Sequence, residues 1–361
     1  MPPFTPLIES LPSSVPFVGP EALERRTRAV IKARIGANES VFGPAPSVIQ
    51  AMQDHAGETW QYGDPENHDL KRALAAHLDV GPENICVGEG IDGLFGYAVR
   101  LFVEPGVAVA TSLGAYPTFN FHVAGFGGRL VTTPYVNDRE DPASLLQLAR
   151  TERARVIYLA NPDNPMGTVW LAQDIQKLID TVPEATMLML DEAYTEFAPD
   201  DTRPPLDVSR KNVLRFRTFS KAYGLAGIRV GYVIGHAEVI KAFDKIRNHF
   251  GMPRLSQVAA LAALNDQAWL HHVVAEVKAA RERIYEIARR HNLGAIPSAT
   301  NFVAVDCGRD GAYARSVVDG LLKHGVFVRM PGVAPLNRCI RISAGTKENL
   351  DLLASALPEV L

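Results

Sequence analysis

Between residues 85 and 234, short apolar runs alternate with stretches of helical periodicity, and this alternation constrains the fold more than any other feature of the chain. The runs at 85–87, 107–110, 156–160 and 187–190 are apolar almost throughout, where a half-exposed strand would alternate with polar residues, and further strand-like runs follow at 213–219 and 228–234. Strands of that kind are covered on both faces, which predicts a largely parallel sheet with helices packed on each side. Leu171, Ile175, Leu178 and Ile179 fall on one helical face, as do Leu70, Ala73, Leu74, His77 and Leu78. The spacing predicts a helix over 64–78, with Asp64 as its cap and Pro65 in its first turn. A second is predicted over 94–102.

Past Pro253 the pattern changes. A helical stretch runs to about residue 291, broken near Asn265-Asp266. Strands at 302–306, 326–330 and 339–343 then alternate with helices at 312–324 and 347–357, the pattern of a smaller α+β domain. A chain of 361 residues accommodates two such units. The expected division is an N-terminal arm over 1–37 packed with the small domain, a large domain over 38–265 and a small domain over 266–361. The basic run of Arg25, Arg26, Arg28, Lys32 and Arg34 reads as charge facing water.

Composition narrows the function classes. With 37 basic and 40 acidic residues the net charge is -3, which offers no footprint for nucleic acid or an anionic membrane. Cys86, Cys307 and Cys339 lie far apart, so neither a disulfide framework nor a thiolate metal site is expected, and the ten histidines, His271-His272 included, show no metal-ligand spacing. The first residues lack a secretory pattern and the apolar run 258–264 is too short to span a bilayer, so a cytoplasmic protein is expected.

In an open α/β sheet, ligands sit beyond the carboxyl ends of the strands. The chemically informative residues fall at those ends: 161–167 (Asn-Pro-Asp-Asn-Pro-Met-Gly), 191–194 (Asp-Glu-Ala-Tyr), Ser220-Lys221 and the glycine-rich 88–93. Glycines, a carboxylate, an amide and a lysine from four strand ends amount to one shared site. Lys221, at the end of an apolar strand and near Arg229, would be desolvated and repelled by a like charge, both of which free a neutral amine. A simple ion pair of Lys221 with Asp191 is the plainer alternative.

The stretch 217–231 (Arg-Thr-Phe-Ser-Lys-Ala-Tyr-Gly-Leu-Ala-Gly-Ile-Arg-Val-Gly) resembles the lysine segment of the class I and II, fold-type-I aminotransferases, closest to the histidinol-phosphate aminotransferase branch. Supporting motifs extend over most of the chain. The resemblance implies pyridoxal phosphate as cofactor, with Lys221 as its covalent anchor and as the base that moves the donor's α-proton. It implies Asp191 at the pyridine nitrogen, Tyr194 and Asn164 at the phenolic oxygen, and Tyr116 stacked on the ring. The cofactor phosphate would meet Thr218, Ser220, Arg229 and the backbone of Gly90, Ile91 and Asp92 at a helix start. Tyr62 would reach the phosphate of a neighbouring subunit, which implies a homodimer with shared sites. Arg341 would clamp the donor's carboxylate, Arg329 a distal phosphate, and Asn38 would lie near the substrate entrance. The reaction implied is transfer of an amino group from histidinol phosphate or an aromatic amino acid to a 2-oxo acid such as 2-oxoglutarate.

The chain departs from the family pattern at Ser40-Val41, Gly63, Ile91 and Met166, none of which removes a catalytic group. Three competing readings remain. The 88–93 stretch is also a G-x-G-x-x-G, the mark of a dinucleotide-binding oxidoreductase, but the next apolar run ends in Thr111-Ser112 with no carboxylate for a ribose. A cofactor-binding transcription regulator needs a DNA-binding module for which the short arm has no room. A decarboxylase of a phosphorylated amino acid such as threonine phosphate would use the same Lys221 and Asp191.

Overall fold

The computed structural model describes residues 2–13 and 17–361. Its strands, in chain order, are β1 (Ala33–Arg34), β2 (Ile85–Gly88), β3 (Ala108–Ser112), β4 (Arg129–Thr133), β5 (Val156–Ala160), β6 (Met187–Asp191), β7 (Val213–Thr218), β8 (Gly231–Gly235), β9 (Gly294–Ala295), β10 (Phe302–Asp306), β11 (Val326–Phe327) and β12 (Cys339–Ser343). Seven of these form the central sheet in the order β2-β8-β7-β6-β5-β3-β4. β7, β6, β5, β3 and β4 run parallel, while β8 is antiparallel to both its neighbours. The expected mostly parallel sheet is therefore present, with one reversed strand near its edge.

The inner strands β3, β5 and β6 are buried at every position, because helices cover both faces. One face packs Val156, Tyr158 and Met189 into a large core with Phe95 and Phe119, and the other packs Ile157, Leu159 and Leu188 against Ile175, Leu178 and Ile179. β4 escaped the sequence reading because it is the outer strand and only partly buried, so its composition carries no apolar run. The helix expected from residue 64 begins at His68. Asp64 still acts as a local cap, accepting the amides of Glu66 and His68 at 3.0 and 2.7 Å, but the chain turns through Asn67 at φ 52° before the helix starts.

The break at Asn265-Asp266 separates the helices Arg254–Asn265 and Gln267–Arg290, and the Asp266 side chain caps the second by accepting the Trp269 amide at 3.1 Å. β9, β10 and β12 form a separate antiparallel sheet. The expected strand at 326–330 is shorter: β11 ends at Phe327, and beyond it Arg329 bridges to Arg341. β11 pairs in parallel with β1, which ties the arm to this part of the molecule. Among the described residues, no helix is long and apolar enough to cross a membrane.

Candidate active site

Sheet register gathers the predicted residues. Ala160 of β5 pairs with Asp191 of β6, Asp191 with Phe216 of β7, and Thr218 of β7 with Gly231 of β8, which also faces Gly88 of β2. The segments following β2, β5, β6 and β7 therefore open into one cavity of about 820 Å³. Of the predicted residues, Lys221, Asp191, Tyr194, Tyr116, Asn164, Thr218, Ser220, Arg229, Ile91, Asp92, Asn38, Arg329 and Arg341 line it. Gly90 lies directly behind Arg229, while Tyr62 is outside the cavity, exposed, with its ring 4.7 Å from that of Phe250.

One end of the cavity suits an anion. The helix Gly90–Phe102 starts there, so its free amides and positive dipole end point into it. Gly90 has φ +75°, and a Cβ on it would lie 2.4 Å from Nη2 of Arg229, so only glycine lets the guanidinium rest against the helix start. A Cβ on Gly231 would lie 2.7 Å from the Ile91 amide, which holds the same turn close to β8. Arg229, itself at φ 57°, comes within 3.4 Å of Ser220 Oγ and 3.9 Å of Asp92 Oδ2. The Ser220 amide donates to Thr218 Oγ1 at 3.1 Å.

Deeper in, the Asp191 carboxylate accepts from the Tyr158 hydroxyl at 2.6 Å and from the Ala193 amide at 2.9 Å. Burial pushes its pKa up to about 6, against the pull of those two donors. The Tyr116 hydroxyl donates to Asp92 Oδ1 at 2.9 Å. Lys221 donates through Nζ to the Asn38 carbonyl at 3.1 Å, so the plainer alternative of an ion pair with Asp191 is not what the structure holds. Burial lowers the lysine to about 8, assisted first by Arg341 and less by Arg229; the expected neighbour is thus the lesser of two cations. Asn38 stands at φ 55°, a left-handed turn that places its amide against the Tyr194 hydroxyl, 3.1 Å away.

The far side includes Arg341 from the other sheet and the segment 327–333. Arg341, on β12, is buried with its guanidinium 5.1 Å from the Phe302 ring, and burial lowers it to about 10. Its Nη1 donates to Asn164 Oδ1 at 2.6 Å, while its Nε is buried with no partner. Arg329 donates to the Val18 carbonyl at 2.8 Å and lies 5.0 Å from the Phe17 ring, so part of its hydrogen-bonding capacity is spent on the arm.

Sequence reasoning missed several supports. Glu192, fully buried, takes Arg215 at 2.5 Å and Arg217 at 2.8 Å, and the two cations outweigh burial to hold it below the usual carboxylate range. Two arginines inside an apolar run were the available signal, since a buried cation needs an acid. Tyr158 lies inside the run 156–160 and was not singled out, although a buried tyrosine hydroxyl needs a partner. Phe17 and Asn301 carried no signal: Asn301 joins the site by donating to the Asn38 carbonyl at 3.1 Å, from 263 residues away, and to the Glu39 carbonyl at 3.5 Å. The G-x-G-x-x-G follows β2, an edge strand beside an antiparallel one, where the first strand of a dinucleotide-binding unit would stand among parallel neighbours.

Residues 30–357 match the family Aminotransferase class I and II. The histidinol-phosphate aminotransferase of Moorella thermoacetica is 32% identical over 360 residues, spanning 98% of this chain and 92% of that protein. That of Staphylococcus haemolyticus is 32% identical over 354 residues, spanning 97% of each. The crystal structure of histidinol-phosphate aminotransferase from Sinorhizobium meliloti in complex with pyridoxal-5'-phosphate is 60% identical, with a TM-score of 0.97 over 99% of this chain and 97% of that one. Aspartate aminotransferase from Thermus thermophilus, at 24% identity and a TM-score of 0.86, shares the fold.

Proposed function

Because this chain belongs to the class I and II aminotransferases, we propose that it uses pyridoxal phosphate to move an amino group from histidinol phosphate, or an aromatic amino acid, to a 2-oxo acid such as 2-oxoglutarate. The observation that carries the reading is Lys221: a half-buried lysine lowered to about 8, facing the same cavity as a buried carboxylate and an anion cradle. The cradle fits a phosphate, since the space a Cβ on Gly90 would fill is what admits Arg229 to the helix start.

Pyridoxal phosphate supplies an electron-poor ring that accepts the electron pair released when the donor's Cα–H bond breaks. Thr218, Ser220, Arg229 and the amides of Ile91 and Asp92 hold the phosphate. Asp191 presents a carboxylate to the ring nitrogen, and Tyr194 and Asn164 present polar groups to the phenolic oxygen. Tyr116 covers a ring face. Lys221 would anchor the cofactor and would take the proton from the donor's Cα at Nζ. Arg341, with a buried and unpartnered Nε, binds the donor's anionic group, and Arg329 binds a distal phosphate after release from Val18. Asn38 holds the entrance side through Tyr194.

A homodimer follows from the same reading. Tyr62, 78% exposed, packs its ring on exposed Phe250, an apolar pair suited to a second copy, with Tyr62 reaching the partner's phosphate cradle. The protein works in the cytoplasm.

The deciding experiment loads the protein with pyridoxal phosphate and adds histidinol phosphate, phenylalanine, tyrosine and threonine phosphate one at a time. Bleaching of the near-visible band by histidinol phosphate, with the amino group recovered on 2-oxoglutarate, is expected. Release of carbon dioxide from threonine phosphate with the band retained would establish a decarboxylase instead. A protein that stays colourless with pyridoxal phosphate overturns the assignment.

A further inference from the structure

Tyr158 sits in the middle of β5, fully buried, and does not line the cavity. Its ring is stacked on Phe119 at 4.2 Å with 16° between planes, and Phe95 meets it edge-on at 5.6 Å. Both aromatic contacts fix the direction of the phenol. That direction is toward Asp191: the hydroxyl donates to Oδ2 at 2.6 Å, the short length of a bond to an ionised acceptor. The other oxygen, Oδ1, takes the Ala193 amide at 2.9 Å, so two donors, one from β5 and one from the turn after β6, hold one carboxylate in one orientation.

Among the groups around Asp191, the Asp92 and Glu140 carboxyls work against its ionisation, and the Lys221 amine works for it. The Tyr194 hydroxyl lies near Asp191, and the Tyr116 hydroxyl near Tyr158. Burial, the largest influence, favours the neutral acid, which is of no use to a cationic ring nitrogen. A phenol kept neutral by its own burial is a pure donor at working pH and stabilises the ionised carboxylate.

We propose that Tyr158 is a positioning residue that orients Asp191 and keeps it ionised, so that the cavity accepts a protonated ring nitrogen without touching it itself. The inference rests on the pyridoxal-phosphate reading for the identity of that ring, but the coupling of Tyr158 to Asp191 belongs to the protein alone.

The test is Tyr158→Phe, which removes one oxygen and keeps the aromatic packing. Losing a hydrogen bond to a charged acceptor raises the Asp191 pKa by about one unit or more. Two consequences run in opposite directions with pH. Pyridoxal phosphate binding, measured by fluorescence titration, weakens about tenfold near pH 6, and the gap from the unmodified protein closes by about pH 9, where Asp191 is ionised in both. Thermal unfolding of the apoprotein shows the reverse. A raised carboxyl pKa removes stability as pH climbs through it, so the two melting curves lie closest near pH 5 and separate toward pH 8. In an Asp191→Asn background, both pH-dependent gaps should vanish. A pH-independent gap for Tyr158→Phe, or none, overturns the proposal. If pyridoxal phosphate binds neither protein the cofactor reading fails, while the apoprotein curves still decide the role of Tyr158.

Discussion

Arg341 on β12 donates through Nη1 to Oδ1 of Asn164, in the loop after β5, at 2.6 Å, joining two sheets across the cavity through one hydrogen bond. The guanidinium approaches from the sheet that carries β10 and β12, and the amide from the central sheet. Because Nε remains unpaired and buried, this bond leaves the fork half used. In the proposed role of Arg341 an incoming anion would complete it, and the unsatisfied group would supply part of the driving force.

Arg341→Lys should therefore raise KM for the anionic donor by about ten- to a hundredfold with a smaller change in kcat, because an ammonium cannot span two anchors at once. Steady-state kinetics with histidinol phosphate measures the split. An unchanged KM would place the donor's anion elsewhere.

Lys221 should behave as an amine of unusual reactivity. With its pKa near 8, against the ordinary 10.5, the neutral fraction at Nζ rises through pH 7 and levels off above about 9. Covalent capture of pyridoxal phosphate, fixed by borohydride and mapped by peptide mass spectrometry, should follow that curve at Lys221. The stability sign is fixed by the same shift. The unfolded chain holds the proton to higher pH than the fold does, so this group adds stability as pH rises from about 8 to 10.5. Lys221→Ala should remove both the labelled peptide and that rise.

Gly90→Ala tests the anion cradle. The new Cβ would press on Arg229 and demand a left-handed backbone of a residue with a side chain, at a cost of about 1–2 kcal/mol. The cofactor dissociation constant should rise about tenfold or more as Arg229 is displaced, with little change in far-ultraviolet circular dichroism.

Glu192→Gln breaks the buried bridge that joins the end of β6 to β7. Arg215 and Arg217 would be left without their counter-charge, and removal of one partner from such a pair costs about 3–5 kcal/mol. Denaturant unfolding of the apoprotein should show a loss of that order. A loss under about 1 kcal/mol would mean that the carbonyls of Pro204 and Pro205, which Arg215 also contacts, carry the arginine without the acid.

Much of this protein was legible in its order of residues. The apolar runs of β5, β6 and β7 needed two-sided burial, which selects a parallel sheet under helices, and the polar residues after each run had to meet where the strands end. Asn265-Asp266 broke the helical stretch because an aspartate there caps the next helix. Other features had no local signal. β4 lies at the margin of the sheet and needs no apolar run, and the first turn of the helix at His68 yields to the left-handed Asn67. Tertiary structure alone decided which groups touch: that Lys221 reaches the Asn38 carbonyl rather than Asp191, that Tyr158 points its hydroxyl at that carboxylate, and that Arg329 turns to the arm. Periodicity records which side of an element is buried, a property of neighbours along the chain. A hydrogen bond between residues 183 apart depends on register and crossover geometry, which no local pattern encodes.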